Sequence, residues 1–196
     1  MIGTRALCVA GVAAAALVPA GSQRDAPAPR LLRVAVTSPA GAAELATGFA
    51  AGGDRVVTVA HVLDAGGAVT VDGRAASVVR VDRRDDLALL AVRGLRAPAA
   101  STGAGTGATR LLLRSGPRPT SVRRAITATV RIAPDPPVRR SALELAADVA
   151  HGDSGAPVVD GHGRVTGVVF AASTGRPHTA YAVGGAAVAA LLLTGS

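Results

Sequence analysis

The sequence predicts an all-β fold built from two antiparallel units, on three observations. Short apolar runs recur from Leu31 onward, each closed by a turn signal. The chain carries 24 Gly and 12 Pro, more punctuation than a helical bundle tolerates. Gly94–Gly107, rich in Ala, Gly, Pro, Ser and Thr, parts the runs into two sets of about six strands. Two such sets fit either two barrels or one sandwich, and periodicity does not choose between them.

Taken in order, the first set reads as strands at Leu31–Thr37, Thr47–Ala51, Arg55–Val59, Ala68–Val71, Ser77–Val81 and Leu87–Val92. Gly52-Gly53-Asp54 and Asp72-Gly73 are hairpin signals, because tight hairpin turns need positive φ. The second set reads as Ala108–Leu113, Ala125–Ile132, Ala142–Ala147, Ala156–Val159, Val165–Ala171 and Thr179–Val183, with Asp160-Gly161-His162-Gly163 as a turn. The Ala/Leu-rich stretch 186–193 reads as a short C-terminal helix. The units are thus expected at about 31–93 and 108–184, joined by a linker at 94–107.

Ahead of the strands, Arg5 precedes an unbroken run of small and apolar residues, Ala6–Leu17, and Val18-Pro19-Ala20 has the spacing of a signal-peptidase site. Residues 1–20 are therefore expected to be an export signal or, if uncut, an N-terminal membrane tether. The run is shorter than the ~20 apolar residues of a comfortable span. Residues 21–30, with Pro27 and Pro29, read as a flexible leader. The expected location is outside the cytoplasm: secreted, periplasmic or held at the cell envelope.

Composition removes several function classes. Apolar residues make up 49% and aromatic residues 2% (Phe49, Phe170, Tyr181), so the core must be built from Val, Leu and Ala. With 17% charged residues the chain is not intrinsically disordered. The net charge is +8 and every basic residue is Arg. The arginines are scattered beyond the pairs Arg83–Arg84, Arg123–Arg124 and Arg139–Arg140, and three aromatics make no stacking platform, so no nucleic-acid partner is expected. Cys8 is the only cysteine and lies in the leading segment. It has no disulfide partner, and neither a thiolate zinc site nor a cysteine nucleophile is available to the folded part. His61, His151, His162 and His178 lack metal-ligand spacing, so no metal and no cofactor is expected.

Three segments carry the chemistry. In His151-Gly152-Asp153-Ser154-Gly155-Ala156-Pro157 a serine sits among small residues in a tight turn that can present its Oγ. The N–H groups of Gly152 and Ser154 can converge there on an oxyanion, an effect worth ~3–4 kcal/mol per donor. In Val57-Thr58-Val59-Ala60-His61-Val62 a histidine ends an apolar strand, and its ordinary pKa near ~6.5 suits a general base. In Asp85-Asp86-Leu87-Ala88-Leu89-Leu90 a carboxylate stands at the mouth of an apolar strand, where burial demands a partner such as an imidazole N–H.

The order His61, Asp86, Ser154, with these local sequences, resembles the chymotrypsin/trypsin-like serine proteases, most of all the short bacterial periplasmic or membrane-tethered members that lack a PDZ domain. Thr58-Val59-Ala60-His61, Asp86-Leu87-Ala88-Leu89 and Gly152-Asp153-Ser154-Gly155-Ala156-Pro157 match the family motifs, and Gly48-Phe49 and Gly167-Val168-Val169 match its flanking strands. The resemblance runs from about Leu31 to Leu193 and implies a double antiparallel β-barrel with a cleft between the barrels. It implies hydrolysis of a protein or peptide substrate through Ser154 as nucleophile, His61 as base and Asp86 as its orienting acid. A catalytically silent binding module and an esterase using the same three residues are the alternatives. The residues after Ser154 are expected to be consumed by the second barrel, leaving no stretch for a peptide-binding domain of the stress-protease type.

The same resemblance implies a substrate pocket walled by Phe170, Ala171 and Ala172. Asp148, six residues before Ser154, is either its floor or a surface residue. Ala156 departs from the family's usual glycine. Asp85 is the rival of Asp86, His151 is a rim residue, and Asp153 shapes the serine's turn, since no activation sequence is visible near Arg30–Val34.

Overall fold

A computed structural model of the chain describes residues 26–104, 108–130 and 137–193. The expected export signal at 1–20 lies outside them, as does the first half of the leader. Among the described residues no helix is long and apolar enough to cross a membrane.

The first unit contains β1 (Leu31–Thr37), β2 (Ala43–Gly52), β3 (Arg55–Val59), β4 (Ala68–Val71), β5 (Arg74–Ala75), β6 (Ser77–Asp82) and β7 (Leu87–Ala91). They form one curled seven-stranded sheet in the order β5-β4-β1-β2-β3-β7-β6. All the pairings are antiparallel. The Asp72-Gly73 hairpin is present, with φ of 47° and 77° at its two residues, the signature of a two-residue type I′ loop. A 3-10 helix at His61–Ala65 follows β3.

The second unit contains β8 (Ala108–Leu113), β9 (Gly116–Val130), β10 (Val138–Leu145), β11 (Pro157–Val159), β12 (Val165–Ala172) and β13 (Ala180–Gly184). They close into a barrel in the order β10-β13-β12-β11-β8-β9. Helix α1 (Gly185–Leu193) ends the described chain. The sandwich alternative is thereby removed. The largest departure from expectation is β9, which begins at Gly116 rather than Ala125. Pro117 and Pro119 argue against a strand, because they lack the ladder donor. They are tolerated because Gly116–Ser121 pairs only with β8, whereas Val122–Val130 pairs with β10.

The core is aliphatic, as the composition requires. One cluster runs from Val34, Phe49, Val57 and Leu89 in the first sheet to Val168, Phe170, Val188 and Leu191. A second, including Leu111, Leu145, Val158 and Ala182, fills the other side of the closed barrel. The predicted linker is pinned at both ends: Ala97 bridges Gly53 of the first unit, and Thr102 bridges Val165 of the second. The described end of the leader is also tied down. Ala26 N–H donates to the His162 carbonyl at 2.8 Å and Ala50 N–H to the Arg30 carbonyl at 2.9 Å.

The two units meet where β2 crosses the serine turn. Thr47 N–H donates to the Ser154 carbonyl at 2.8 Å. Thr47 Oγ1–H donates to the Gly152 carbonyl at 2.8 Å, and Thr58 Oγ1–H donates to the Thr47 carbonyl at 2.8 Å. A Cβ on Gly155 would lie 1.9 Å from that carbonyl oxygen, and Gly155 has φ of +91°. Both facts require glycine there.

Two stability outcomes are expected in denaturant melts. Leu89, 1% exposed, leaves a cavity on Leu89→Ala and costs about 2–5 kcal/mol. Gly155→Ala combines left-handed strain with a backbone clash and costs roughly 2–6 kcal/mol. A loss under about 0.5 kcal/mol for either would place the residue outside a packed contact.

Candidate active site

Asp86 opens β7 in a conformation few L-residues adopt, with φ of +56°. Three hydrogen bonds hold it there. Ala60 N–H donates to the Asp86 carbonyl at 3.0 Å. His61 N–H donates to Oδ1 at 2.9 Å, and His61 Nδ1 lies 2.8 Å from Oδ2. An ionised carboxylate only accepts, so Nδ1 carries the hydrogen and Nε2 is left with its lone pair. Asp86 is buried, whereas the His61 side chain is 32% exposed. The apolar strand thus buries the acid and the 3-10 turn leaves the imidazole at the surface.

Burial pulls the His61 pKa down, but the Asp86 hydrogen bond, the Asp86 charge and the Asp64 charge outweigh it. The midpoint is raised above 6.5, with Arg140 opposing the rise. Asp85 does not reach the imidazole: its N–H bonds to Asp82 Oδ1 at 3.0 Å. Burial and the Asp82 charge hold its own carboxyl above the ordinary range.

Ser154 and His61 line one cleft of about 560 Å³, with Ser38, Glu44, Asp64, His151 and Gly152. Among the described residues the hydrogen bond of the His61 ring is to Asp86, and a serine–imidazole contact of this kind commonly tightens only with substrate. The turn Ala150–Asp153 is closed by Asp153 N–H donating to the Ala150 carbonyl at 3.0 Å. Gly152, its third residue, has φ of +91°, which makes it a type II turn and sets the orientation of the His151–Gly152 peptide. Asp153 Oδ2 accepts from Ala150 N–H at 2.8 Å, so Asp153 shapes the turn it belongs to. His151 stands on the rim, 76% exposed and 3.9 Å from Glu44.

The expected pocket residues divide between two sites. Phe170, Ala171 and Ala172 line one cavity of about 410 Å³ with Ile126, Ala128 and Tyr181. Asp148 lines a different cavity of about 480 Å³ with Leu111, Leu113, Asp153 and His178. There its carboxylate lies 2.7 Å from His178 Nδ1, and both side chains are more than 70% exposed (72% and 75%). The structure therefore does not bring Asp148 to Phe170, Ala171 and Ala172. Strand β10 ends at Leu145, and the residues that follow it, Ala146–Ala150, line the Leu111/Leu113 cavity instead.

Beside the Phe170 cavity lies a charge network that the sequence reading missed. Buried Glu144 accepts from Arg176 at 2.8 Å and from Arg124 at 2.9 Å. These guanidinium groups hold its carboxyl below the ordinary range. Arg176 also donates to Tyr181 Oη at 2.9 Å, and the Tyr181 ring stacks on Phe170 with centroids 6.4 Å apart. Thr47 and Arg140 were missed as well. Arg140, fully buried on β10, approaches Asp86 from the second barrel. A period-two reading of Val138–Leu145 would have put Arg140, Ala142 and Glu144 on one inward face. Among the described residues no group of acidic, histidine or cysteine side chains is placed to hold a metal ion.

The comparisons agree with this architecture. A profile of the trypsin-like peptidase domain matches residues 46–168. Serine protease Rv3671c of Mycobacterium tuberculosis H37Rv is 37% identical over 161 residues, 74% of this chain and 41% of that protein. The chain thus spans less than half of that relative. The crystal structure of the M. tuberculosis Rv3671c protease in its active form gives a TM-score of 0.75 at 32% identity, covering 84% of this chain and 80% of that one. Its inactive form gives 0.69 at 32% identity, over 84% and 87%. The HtrA-type protease AlgW with a tripeptide gives 0.65 at 22% identity, over 85% and 60%, a likeness of fold. A profile match from within β2 to within β12, across both barrels, places the chain in the trypsin-like peptidase family.

Proposed function

We propose that the chain is an exported serine endopeptidase that cleaves peptide bonds with His61, Asp86 and Ser154. The observation that carries the reading is the Asp86–His61 pair, 2.8 Å long and opening on the cleft that also holds Ser154. In this reading Ser154 Oγ attacks the scissile carbonyl as its proton passes to His61 Nε2. Asp86, acceptor-only, keeps Nδ1–H in place and stabilises the imidazolium that forms. The tetrahedral oxyanion lies against the N–H groups of Gly152 and Ser154. His61 then gives its proton to the leaving amine, and water repeats the cycle on the ester of Ser154. Phe170, Ala171 and Ala172 form the wall along which the substrate lies. Export rests on the apolar run Ala6–Leu17 and the small residues after it.

Fluorophosphonate labelling of the folded chain, read by intact mass, tests the triad. One adduct is expected on the wild type and none on Ser154→Ala or His61→Ala, with kcat for a peptide substrate lower by about 10⁴-fold or more. A folded wild type that neither labels nor hydrolyses peptides would leave the binding-module alternative standing. The raised His61 pKa sets the pH dependence. The base works only when neutral, so kcat/KM should climb as pH rises through a midpoint above 6.5. The same protonation favours the folded state below that range and ceases to do so as pH rises through the folded midpoint. An acid limb centred well below 6.5 would contradict the Asp86–His61 coupling.

A further inference from the structure

Arg140 is the most buried charged side chain around the site, 1% exposed, and it belongs to the barrel opposite Asp86. Its Nη1 lies 3.3 Å from Asp86 Oδ2, the oxygen that faces His61 Nδ1. Its guanidinium carbon stands 5.2 Å from the centroid of the Phe170 ring, within cation–π range. Nε and Nη1 have no hydrogen-bond partner among the described residues. A guanidinium so placed sacrifices hydration without full compensation by hydrogen bonds. Packing alone would be better served there by an apolar side chain.

What the cation does supply is a counter-charge. While His61 is neutral, buried Asp86 faces no other cation in direct contact among the described residues. Resting on the proposed triad, we propose that Arg140 is a positioning residue for the Asp86–His61 pair. Reaching across from the second barrel, its guanidinium sets a fixed positive charge 3.3 Å from the Asp86 oxygen that faces the imidazole, so that the base is set only when the barrels are docked. Because Arg140 shares Oδ2, it also limits how strongly Asp86 favours the imidazolium. The other charged or titratable groups about His61 are Asp64 on its own 3-10 turn and, on the cleft rim, Glu44 and His151. Asp85 also feels the Arg140 charge. None of these lies across the barrel interface within reach of Oδ2 as Arg140 does.

The test compares the full chain with Arg140→Met, Arg140→Gln and Arg140→Lys. Two readouts are taken: the His61 titration midpoint by NMR, and the pH profile of kcat/KM. Both neutral variants should raise the His61 midpoint by about one pH unit, as loss of a close charge does, with the acid limb of kcat/KM moving alongside it. They should lower kcat several-fold and leave KM nearly unchanged. Arg140→Lys, which keeps the charge but withdraws it on a shorter stem, should fall between. An unchanged or lowered His61 midpoint in a folded neutral variant overturns the proposal, because a merely structural Arg140 would alter melting alone. Should neither neutral variant fold, Arg140→Lys decides: a midpoint equal to wild type overturns it. A wild type without hydrolytic activity would instead defeat the triad reading, and the NMR midpoints would still report on Arg140.

Discussion

The arrangement hangs on a backbone-to-backbone contact in which no side chain fits. The Thr47 carbonyl occupies the space where a Cβ on Gly155 would sit, 1.9 Å away. With the glycine in place, Thr47 hydrogen-bonds the carbonyls of both Gly152 and Ser154. Strand β2 of the first barrel is thereby clamped to both ends of the serine turn of the second. The cleft exists because this contact sets the distance between the 3-10 turn that carries His61 and the turn that carries Ser154. Thr58, fully buried like Thr47, closes the arrangement from β3.

Electrostatics reinforces what packing begins. A left-handed aspartate at the start of a buried strand is unfavourable twice over, in backbone strain and in desolvation. Both costs are offset locally: Ala60 and His61 donate two backbone N–H groups to it, and the imidazole adds a third donor. These partners come from the segment that follows β3, next to β7 in the sheet. Sheet register therefore delivers the pair, since Val59 stands opposite Leu87 one residue before Ala60 and one after Asp86. The Arg140 charge then ties this first-barrel pair to β10 of the second barrel.

The absence of disulfide support within the described residues gives the charge network around Glu144 added weight. Glu144 joins Arg124 on the neighbouring strand β9 to Arg176 in the loop before β13. Arg176 in turn holds Tyr181, whose ring stacks on Phe170, and the Arg140 guanidinium packs against the same Phe170. Few aromatics are present in this chain, and two of them stand together at the one place where the candidate substrate wall, the buried arginine and the charge network meet. A polar, hydrogen-bonded scaffold is the means of ordering a loop that a core of Val, Leu and Ala is too small to reach.

The sequence by itself determined most of the strand inventory, its grouping into two sets and the local neighbourhoods of His61, Asp86 and Ser154. Strand alternation, glycine turns and short motifs are properties of adjacent residues, and β1, β3, β4 and β8 begin and end where those patterns place them. It did not reveal the first half of β9, Gly116–Arg124, because an exposed stretch with two prolines has neither an apolar run nor a full set of donors. The choice of Asp86 over Asp85 followed a motif; the reason is visible only in the fold, where Asp86 takes a left-handed φ and its carboxylate meets the imidazole, while the backbone N–H of Asp85 donates to Asp82 Oδ1. Tertiary structure alone decided that Asp148 lies apart from Phe170, that Thr47 clamps the serine turn, and that one member of the Arg139–Arg140 pair is buried against Asp86. Each of these depends on contacts between residues 30 or more positions apart, across barrels or loops, and no local pattern encodes where a buried charge will find its partner.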